Sequence, residues 1–418
     1  MLELADLTRT SGADVVGSDV QRRSEIEPAH FIGMGKVEEL RGLRDEGSFD
    51  IVVCNEDLSP RQQRNLEREL KVRVLDRTEV ILEIFAQHAR THEGRLQVEA
   101  ARLHHLLPRL IGSWSYDRQA GGRRGGVGAR GGPGEQQIES ERRRVRKRIR
   151  DLDEEIEQVR SKRSEARAGR RRAELETAAI VGYTNAGKST LLNALTGASV
   201  RAEHRLFATL DPTTRRLDLP TGRGLLLTDT VGFIQKLPTD LVAAFRATLE
   251  EVTEADLVIE VLDASSAVVM EHADTVEREL KNLGAADKPR VVVLNKSDLL
   301  GPAQRRRLLA AMSERYSSRV VPVSATQGGG MDELLAAIED ASRGDAVGLD
   351  LLVPYGRENV LASLRRIGGI DRTEYVDAGT RAWGWAPRHA AARFEPYRAP
   401  EAAATGTNGS RRGRRRPG

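Results

Sequence analysis

Apolar and polar positions along the first part of the chain change period several times, and each change marks an element. Leu2 to Ser11 and Val37 to Arg44 carry apolar residues at helical spacing, while Asp14-Val15-Val16-Gly17 reads as extended. Phe49-Asp50-Ile51-Val52-Val53 predicts a strand, Ser59 to Leu70 a helix and Val72-Arg73-Val74-Leu75 a second strand. This alternation predicts a small parallel α/β domain over residues 1–78. No strand precedes the first helix, so the sheet is expected to lack an edge or the start to be truncated. Asp76 and Glu79 then form an Asp-x-x-Glu capping box ahead of Val80, Ile81, Ile84 and Phe85.

After Gly94 the pattern settles into steps of four and three: Leu96, Ala100, Leu103, Leu107, Leu110. Pro108 is expected to kink or end that helix. The same steps return at Ile138, Val145, Ile149, Leu152, Ile156 and Val159. Two such stripes bury each other best as an antiparallel helical hairpin, here residues 79–172. A single helix over 135–172 would be ~57 Å long at 1.5 Å per residue. Beyond it, Ala178-Ala179-Ile180-Val181, Leu225-Leu226-Leu227-Thr228, Val291-Val292-Val293-Leu294 and Val321-Pro322-Val323 are short apolar runs, each ending in a polar motif. They predict the buried strands of one α/β domain over residues 173–343. A small α+β domain is expected over 346–398, with strands at Gly348 to Pro354, Glu374-Tyr375-Val376 and Thr380 to Trp385 and a helix from Arg357 to Ile367. Trp383 and Trp385 alternate, so one should pack and the other be more exposed. The Ala/Gly/Arg composition of 399–418 predicts a disordered basic tail.

Composition narrows the class. At 418 residues several domains are expected. No apolar run approaches the ~20 residues that span a bilayer, and the start reads as an acidic helix rather than a signal peptide, so a cytoplasmic protein is expected. Cys54 lies in an apolar run and reads as core. The net charge of +4 hides clustering: Arg118, Arg123, Arg124 and Arg130 punctuate a Gly-rich stretch, and Arg142-Arg143-Arg144, Arg146-Lys147-Arg148 and Arg150 stud a helix. Clustered cations are the footprint of a partner with a phosphate backbone.

The most specific chemistry lies at Gly182-Tyr183-Thr184-Asn185-Ala186-Gly187-Lys188-Ser189, a GxxxxGK[ST] match between a strand and the helix opened by Thr190. Such a turn surrounds nucleotide phosphates with backbone N–H groups, while Lys188 reaches the β/γ-phosphates and the Ser189 hydroxyl binds Mg²⁺. The base is read from Asn295-Lys296-Ser297-Asp298. A carboxylate at Asp298 accepts from guanine's N1–H and amino group, and adenine would leave it unpaired. Asn295 is expected to tie this loop to the phosphate loop, Lys296 to cover the base, and the Ser324-Ala325 loop to meet the guanine O6. Between them, Asp229-Thr230-Val231-Gly232 predicts Asp229 on Mg²⁺ through water and the Gly232 N–H on the γ-phosphate. All in order, each at a strand end, these predict a P-loop GTPase domain binding GTP and GDP. Phe233 follows Gly232 where many GTPases have a water-orienting Gln, so turnover alone should be slow. Asn185 makes K⁺ a candidate second cation beside the phosphates. Any of Thr209, Thr213 and Thr214 has the chemistry to cap Mg²⁺ and the γ-phosphate.

The hairpin tip, residues 112–134, combines many glycines with Arg118, Arg123, Arg124 and Arg130 and with Trp114 and Tyr116. Cations plus aromatic faces are the chemistry of unpaired RNA recognition, so these six residues are candidate RNA contacts. A flexible connector is the alternative, and it would need neither cations nor aromatics.

Particular runs give the sequence a family likeness. It resembles the HflX family of ribosome-associated GTPases through Phe31-Ile32-Gly33-Met34-Gly35-Lys36-Val37-Glu38-Glu39-Leu40, Leu75-Asp76-Arg77-Thr78-Glu79-Val80-Ile81-Leu82, Gly94-Arg95-Leu96-Gln97-Val98-Glu99, Arg130-Gly131-Gly132-Pro133-Gly134-Glu135 and Leu206-Phe207-Ala208-Thr209-Leu210-Asp211. The resemblance implies a monomer that binds the large ribosomal subunit, directs the hairpin loop at its peptidyl-transferase region, and releases or splits stalled ribosomes under stress. It also favours Thr209 as the switch threonine on Mg²⁺, with Phe207, Ala208, Leu210 and Asp211 as its switch neighbours. The chain departs from the family at its abrupt start and basic tail. ATP-driven RNA unwinding has been attached to the family, but Gly33-Met34-Gly35-Lys36 is too short for a second phosphate loop and reads as a turn before a helix. An RNA-remodelling NTPase and a GTP-gated ribosome-assembly factor are the competing classes. Strand separation would mark the first, and a preference for precursor over mature subunits in sedimentation would mark the second.

Overall fold

The structure, a computed structural model, describes residues 2–22, 25–110, 133–172, 176–197, 206–207, 209–235, 246–344 and 346–400. The tip-loop candidates Trp114, Tyr116, Arg118, Arg123, Arg124 and Arg130, together with Ala208 and residues 401–418 of the expected tail, lie outside them. The chain divides into two compact units, Met1–Asp218 with Gly224–Ser342, and Leu219–Arg223 with Arg343–Gly418.

The first unit is organised on a six-stranded sheet. Its strands are β3 (Glu176–Gly182), β4 (Thr213–Asp218), β5 (Gly224–Asp229), β6 (Leu257–Asp263), β7 (Arg290–Asn295) and β8 (Arg319–Pro322), in the order β4-β5-β3-β6-β7-β8. All pairings are parallel except β4 with β5. The short apolar runs become strands buried on both faces, as parallel sheets covered by helices require: Ile180, Val181, Val258, Ile259, Val291 and Val292 are fully buried.

The N-terminal segments add β1 (Ile51–Val53) and β2 (Arg73–Leu75), paired in parallel with Val52 opposite Val74. Asp14-Val15-Val16-Gly17 enters no strand. Helices α1 (Leu2–Thr10), α2 (Met34–Asp45), α3 (Pro60–Leu70) and α4 (Arg77–His88) surround the pair. Ser59 caps α3 and Asp76 caps α4, each in a complete capping box, with Gln62 and Glu79 respectively. The Cys54 thiol is pushed up to about 12 by burial, which leaves it unreactive. Val37, Leu58, Leu66, Leu70 and Val74 form one small core. A second core crosses the sequence: Leu4, Leu7, Val80, Ile81, Ile84, Phe85 and Val98 pack with Tyr183, Phe207, Leu210, Val231 and Ile234.

The hairpin consists of α5 (His92–Arg109) and α6 (Pro133–Arg172), the latter ~60 Å long at 1.5 Å per residue. Pro108 falls one residue before the end of α5. Leu96, Ala100 and Leu152, with Leu103 and Ile156 against them, make the seam, and Arg148 pairs with Glu99 at 2.8 Å beside it. Farther along α6, Arg160 pairs with Glu250 of α8 (Arg246–Glu254) at 2.8 Å.

In the second unit, β9 (Ala346–Val353), β10 (Gly369–Val376) and β11 (Gly379–Pro387) form an antiparallel sheet in the order β10-β11-β9. Leu349, Leu351, Leu364, Ala382 and Phe394 share its core. Trp385 is buried, with the guanidinium groups of Arg223 and Arg343 4.8 and 5.0 Å from its ring centroid. Trp383 is half-buried, so the expected alternation of the two tryptophans is present. Strand β10 begins at Gly369, well before the expected Glu374; Asp371-Arg372-Thr373, exposed and polar, carries no apolar signal that would extend the sequence expectation. The short helical pieces Arg388–Ala391 and Ala392–Tyr397 also go beyond the sequence reading, being too short to show a period.

Phe85 is fully buried and meets the Phe207 ring edge-on at 4.7 Å between centroids. Phe85→Ala is expected to cost about 3–5 kcal/mol and Phe85→Leu less than ~1.5 kcal/mol, measured by denaturant unfolding. Equal losses for the two would show that the site collapses freely and is not tightly packed.

Candidate functional site

Sheet strands β3, β5, β6 and β7 deliver their C-terminal ends to one edge, and the motif residues collect there. Gly182 ends β3 at φ 152°, where a Cβ would run into the Val261 carbonyl. The chain then turns through Asn185 (φ 61°) and Gly187 (φ 93°), and Gly187 is the N-cap of α7 (Lys188–Thr196). Backbone N–H groups at this helix start have no partner within the helix and face the loop. The Lys188 ammonium donates to the Tyr183 carbonyl at 2.9 Å, and burial pushes it down to about 8 against the opposing pull of Asp229.

Three oxygens meet beside it. The Ser189 hydroxyl donates to Asp229 Oδ2 at 2.6 Å, the Thr209 hydroxyl donates to the same oxygen at 2.8 Å, and the two hydroxyls are 2.8 Å apart. Asp229 is fully buried, its carboxyl raised by that burial, and its Oδ1 is buried with no partner among the described residues. An all-oxygen set with an unpaired buried carboxylate oxygen fits a small hard cation such as Mg²⁺. Among the three candidate threonines, Thr214 is bonded across β4–β5 to Thr228 at 2.9 Å, and Thr213 stands in β4 opposite Asp229 in the register. Only Thr209 is brought to Ser189 among these three.

The next motif closes over the phosphate loop. Thr230 donates its hydroxyl to the Ile180 carbonyl at 2.7 Å. Gly232 approaches so closely that a Cβ would stand 2.8 Å from Lys188 Nζ and 2.9 Å from Thr184 Cα. Phe233 N donates to the Gly182 carbonyl at 3.0 Å and Thr184 N to the Phe233 carbonyl at 2.8 Å, a backbone bridge between the two motifs. The phenyl ring packs among Val181, Leu249, Val252 and Leu280, so this side chain is committed to the core. Val231 joins the apolar cluster with Phe85.

At the far end, Asn295 Nδ2 donates to the Ala186 carbonyl at 2.9 Å and its Oδ1 accepts from Ala325 N at 3.1 Å. One side chain therefore ties three loops together. Lys296 (φ 61°) donates to the Asn185 carbonyl at 2.9 Å and to Asp263 at 2.6 Å. Ser297 N donates to the Val323 carbonyl at 3.0 Å. Among the described residues Asp298 Oδ1 is buried with no partner, and its other oxygen accepts from the Gln327 amide at 3.4 Å. An unpaired buried carboxylate oxygen suits a ligand that carries donors. The Ser324 N–H goes to the Gly329 carbonyl at 2.9 Å and the Ala325 N–H to Asn295, so both N–H groups expected to face the base are engaged within the protein.

Several contacts of the site escaped the sequence reading. Tyr183 stacks on His272 with centroids 3.8 Å apart, donates its hydroxyl to Glu3 and accepts from Gln235 N at 3.1 Å. Arg77 bonds both Glu3 and, at 3.0 Å, the Gln235 carbonyl. Asp211, expected only as a switch residue, accepts from Arg90 N at 2.9 Å and Thr91 N at 2.8 Å. No local signal marks partners so distant in sequence. Asp76, Glu79 and His105 also bring possible metal-ligand atoms within 4.8 Å of one another. There, Arg109 holds Asp76 at 2.5 Å and Gln63 holds Glu79 at 2.7 Å, so the cluster closes on itself.

Family models described as GTP-binding GTPase N-terminal, GTP-binding GTPase Middle Region and 50S ribosome-binding GTPase match residues 1–86, 88–170 and 177–296. GTPase HflX of Caldanaerobacter subterraneus subsp. tengcongensis is 44% identical over 377 residues, covering 90% of this chain and 85% of that protein. GTPase HflX of Escherichia coli is 41% identical over 379 residues, covering 90% and 87%. Among solved structures, a GTP-binding protein from Sulfolobus solfataricus in complex with GDP is 26% identical, covers 82% of this chain and 94% of its own, and superposes with a TM-score of 0.44.

Proposed function

Since the chain belongs to the HflX family of GTPases, we propose that it binds the large ribosomal subunit and uses GTP turnover to release or split stalled ribosomes under stress. It is a P-loop GTPase, converting GTP and water to GDP and phosphate. The observation that carries the reading is a long, arginine-studded helix α6, joined through residues 110–132 to α5, whose N-cap Thr91 is bonded to the switch residue Asp211. A reach toward RNA is thereby attached to the nucleotide site.

In this reading Gly182 to Thr190 and the Gly232 N–H hold the phosphates. Ser189, Thr209 and Asp229 would hold Mg²⁺, Asp229 through water, and the ion would supply positive charge to the phosphates. Asp298 reads guanine through the oxygen that is unpaired within the protein, Asn295 fixes the loop, Lys296 covers the base and Ser324-Ala325 border it. GTP orders the segments around Thr209 and Gly232, and hydrolysis frees them. Because Phe233 is held in the core, the group that orients the attacking water comes from elsewhere in the protein or from the ribosome. Asn185, with its positive φ, and the unpartnered buried hydroxyl of Thr184 support a K⁺ beside the phosphates.

The base assignment is tested by Asp298→Asn, which turns one acceptor into a donor. GTP affinity should fall roughly 10- to 100-fold and xanthosine triphosphate should become preferred, by titration. Unchanged GTP affinity would sink the assignment. For turnover, hydrolysis should rise strongly with large subunits and be faster in K⁺ than in Na⁺. Equal rates in both salts remove the K⁺ site, and indifference to subunits counts against the ribosomal role. For the reach, replacing residues 112–134 with a short Gly/Ser turn should keep GTP affinity but abolish ribosome splitting and flatten the salt dependence of ribosome binding. Ordering that loop costs roughly 1–2 kcal/mol per residue, to be offset by phosphate contacts and by stacking of Trp114 or Tyr116 at roughly 1–3 kcal/mol per base. Splitting at the parental rate without the loop would reduce the tip to a connector.

A further inference from the structure

Thr209 stands between two anchors, and both belong to the N-terminal helices. On one side Phe207, at φ 56° and 2% exposed, sits edge-on to Phe85 of α4. Leu210, also 2% exposed, lies in the same cluster with Val98 and Ala101 of α5. On the other side the Asp211 carboxylate covers the start of α5. Its Oδ2 accepts the N–H groups of Arg90 (2.9 Å) and Thr91 (2.8 Å), and its Oδ1 accepts the Thr91 hydroxyl. Thr91 is itself the N-cap of α5, accepting Gly94 N at 2.9 Å. A carboxylate at a helix N-terminus gains from both the free donors and the helix dipole.

The contact explains a residue that is otherwise costly. Gly94 lies in the first turn of α5, where glycine is a poor helix former. A Cβ there would stand 2.5 Å from Asp211 Oδ1 and 3.2 Å from the Thr91 hydroxyl. Gly94 therefore makes room for the switch carboxylate.

We propose that Asp211 is a positioning residue for Thr209: locked onto the N-terminus of α5, it holds the switch segment so that the Thr209 hydroxyl stays beside Ser189 and Asp229. This rests on the reading of Thr209 as a Mg²⁺ and γ-phosphate residue. Because one carboxylate serves both, the base of the hairpin and the switch form one element, and anything that displaces the first turn of α5 displaces Thr209. The binding coupling is reciprocal: a partner that pulls on α5 changes GTP affinity by the factor by which GTP changes partner affinity.

The test uses the full chain and compares affinities for GDP and for a non-hydrolysable GTP analogue, both with Mg²⁺. The proteins are the parent, Thr209→Ala, Asp211→Ala, Gly94→Ala and the Gly94→Ala/Asp211→Ala double variant. Gly94→Ala leaves every charged group in place and favours the helix intrinsically, so it separates loss of the contact from loss of folding. Asp211→Ala and Gly94→Ala should each weaken the analogue by roughly five- to tenfold, the size of a lost helix cap. GDP binding should stay at the parental value, which also reports a folded site. The double variant should be no weaker than the worse single one, since both remove the same contact. If Thr209→Ala leaves the ratio of analogue to GDP affinity unchanged, the underlying reading of Thr209 fails. If Thr209→Ala changes it while Asp211→Ala and Gly94→Ala do not, the positioning role is overturned. Equal loss of GDP and analogue in the latter two would also overturn it, in favour of a purely structural cap.

Discussion

An apolar cluster shared between the N-terminal helices and the nucleotide-site loops governs how this molecule can work. Leu4 and Leu7 of α1, Ile81 and Phe85 of α4 and Val98 of α5 bury Leu206, Phe207 and Leu210 ahead of β4, together with Val231 and Ile234 after β5. Fully burying a large apolar side chain is worth roughly 1.5–3 kcal/mol, so withdrawing Leu206, Phe207 and Leu210 would expose several kcal/mol of apolar surface. A capping carboxylate contributes about 1 kcal/mol. The cluster therefore dominates the energy of opening, while Asp211 sets where the segment lands. Nucleotide binding acts on a segment that already has a preferred seat.

The polar groups divide into two kinds. Some are satisfied within the protein: buried Glu260 accepts from Arg290 at 3.1 Å and from Tyr316 at 2.8 Å, a structural use of charge. Among the buried side-chain atoms with no hydrogen-bond partner among the described residues are Asp229 Oδ1, Asp298 Oδ1 and Thr184 Oγ1, each at a different part of the same crevice. Three of the five described non-glycine residues with positive φ, Asn185, Phe207 and Lys296, belong to loops that converge there, while Phe31 and Lys71 lie elsewhere. Left-handed backbone at non-glycine residues costs about 1–3 kcal/mol each and persists where the surroundings over-determine it. Here Asn295 and Lys296, bonded to the Ala186 and Asn185 carbonyls, supply that constraint.

Much of this was legible in the sequence because it is local. The strand–turn–helix around Gly187, the capping box of Asp76, the two hairpin stripes and the alternation of Trp383 and Trp385 each depend on neighbours within a few residues. The motif order also announced that Asn295 would meet the phosphate loop, since a side chain at a strand end has few other places to go. What escaped were contacts between segments far apart: Tyr183 with Glu3, Arg77 with Gln235, Asp211 with Thr91. A single sequence holds no periodicity for such pairs. Gly94 shows the difficulty well. It reads as a break in the helical pattern, whereas α5 runs straight through it from His92, and the glycine serves a partner more than a hundred positions away. The N–H groups of Ser324 and Ala325 were likewise assigned outward because their inward partners, Gly329 and Asn295, are fixed only by the folded loop.

The burial of α1 also dictates an order of assembly. Leu7 has no solvent exposure, yet Tyr183, Phe207 and Ile234 are needed to finish the surface it packs on. At roughly 5–20 residues per second, the helix leaves the synthesising ribosome some tens of seconds at most before Ile234 is made. During that interval Leu4 and Leu7 are apolar residues without their final seat, and the β1–β2 core can close only around Val37, Leu66 and Val74. The beginning of the chain thus completes its packing late, and a chain interrupted before Ile234 leaves Leu4 and Leu7 with only the apolar residues of α4, α5 and the loops already made to pack on.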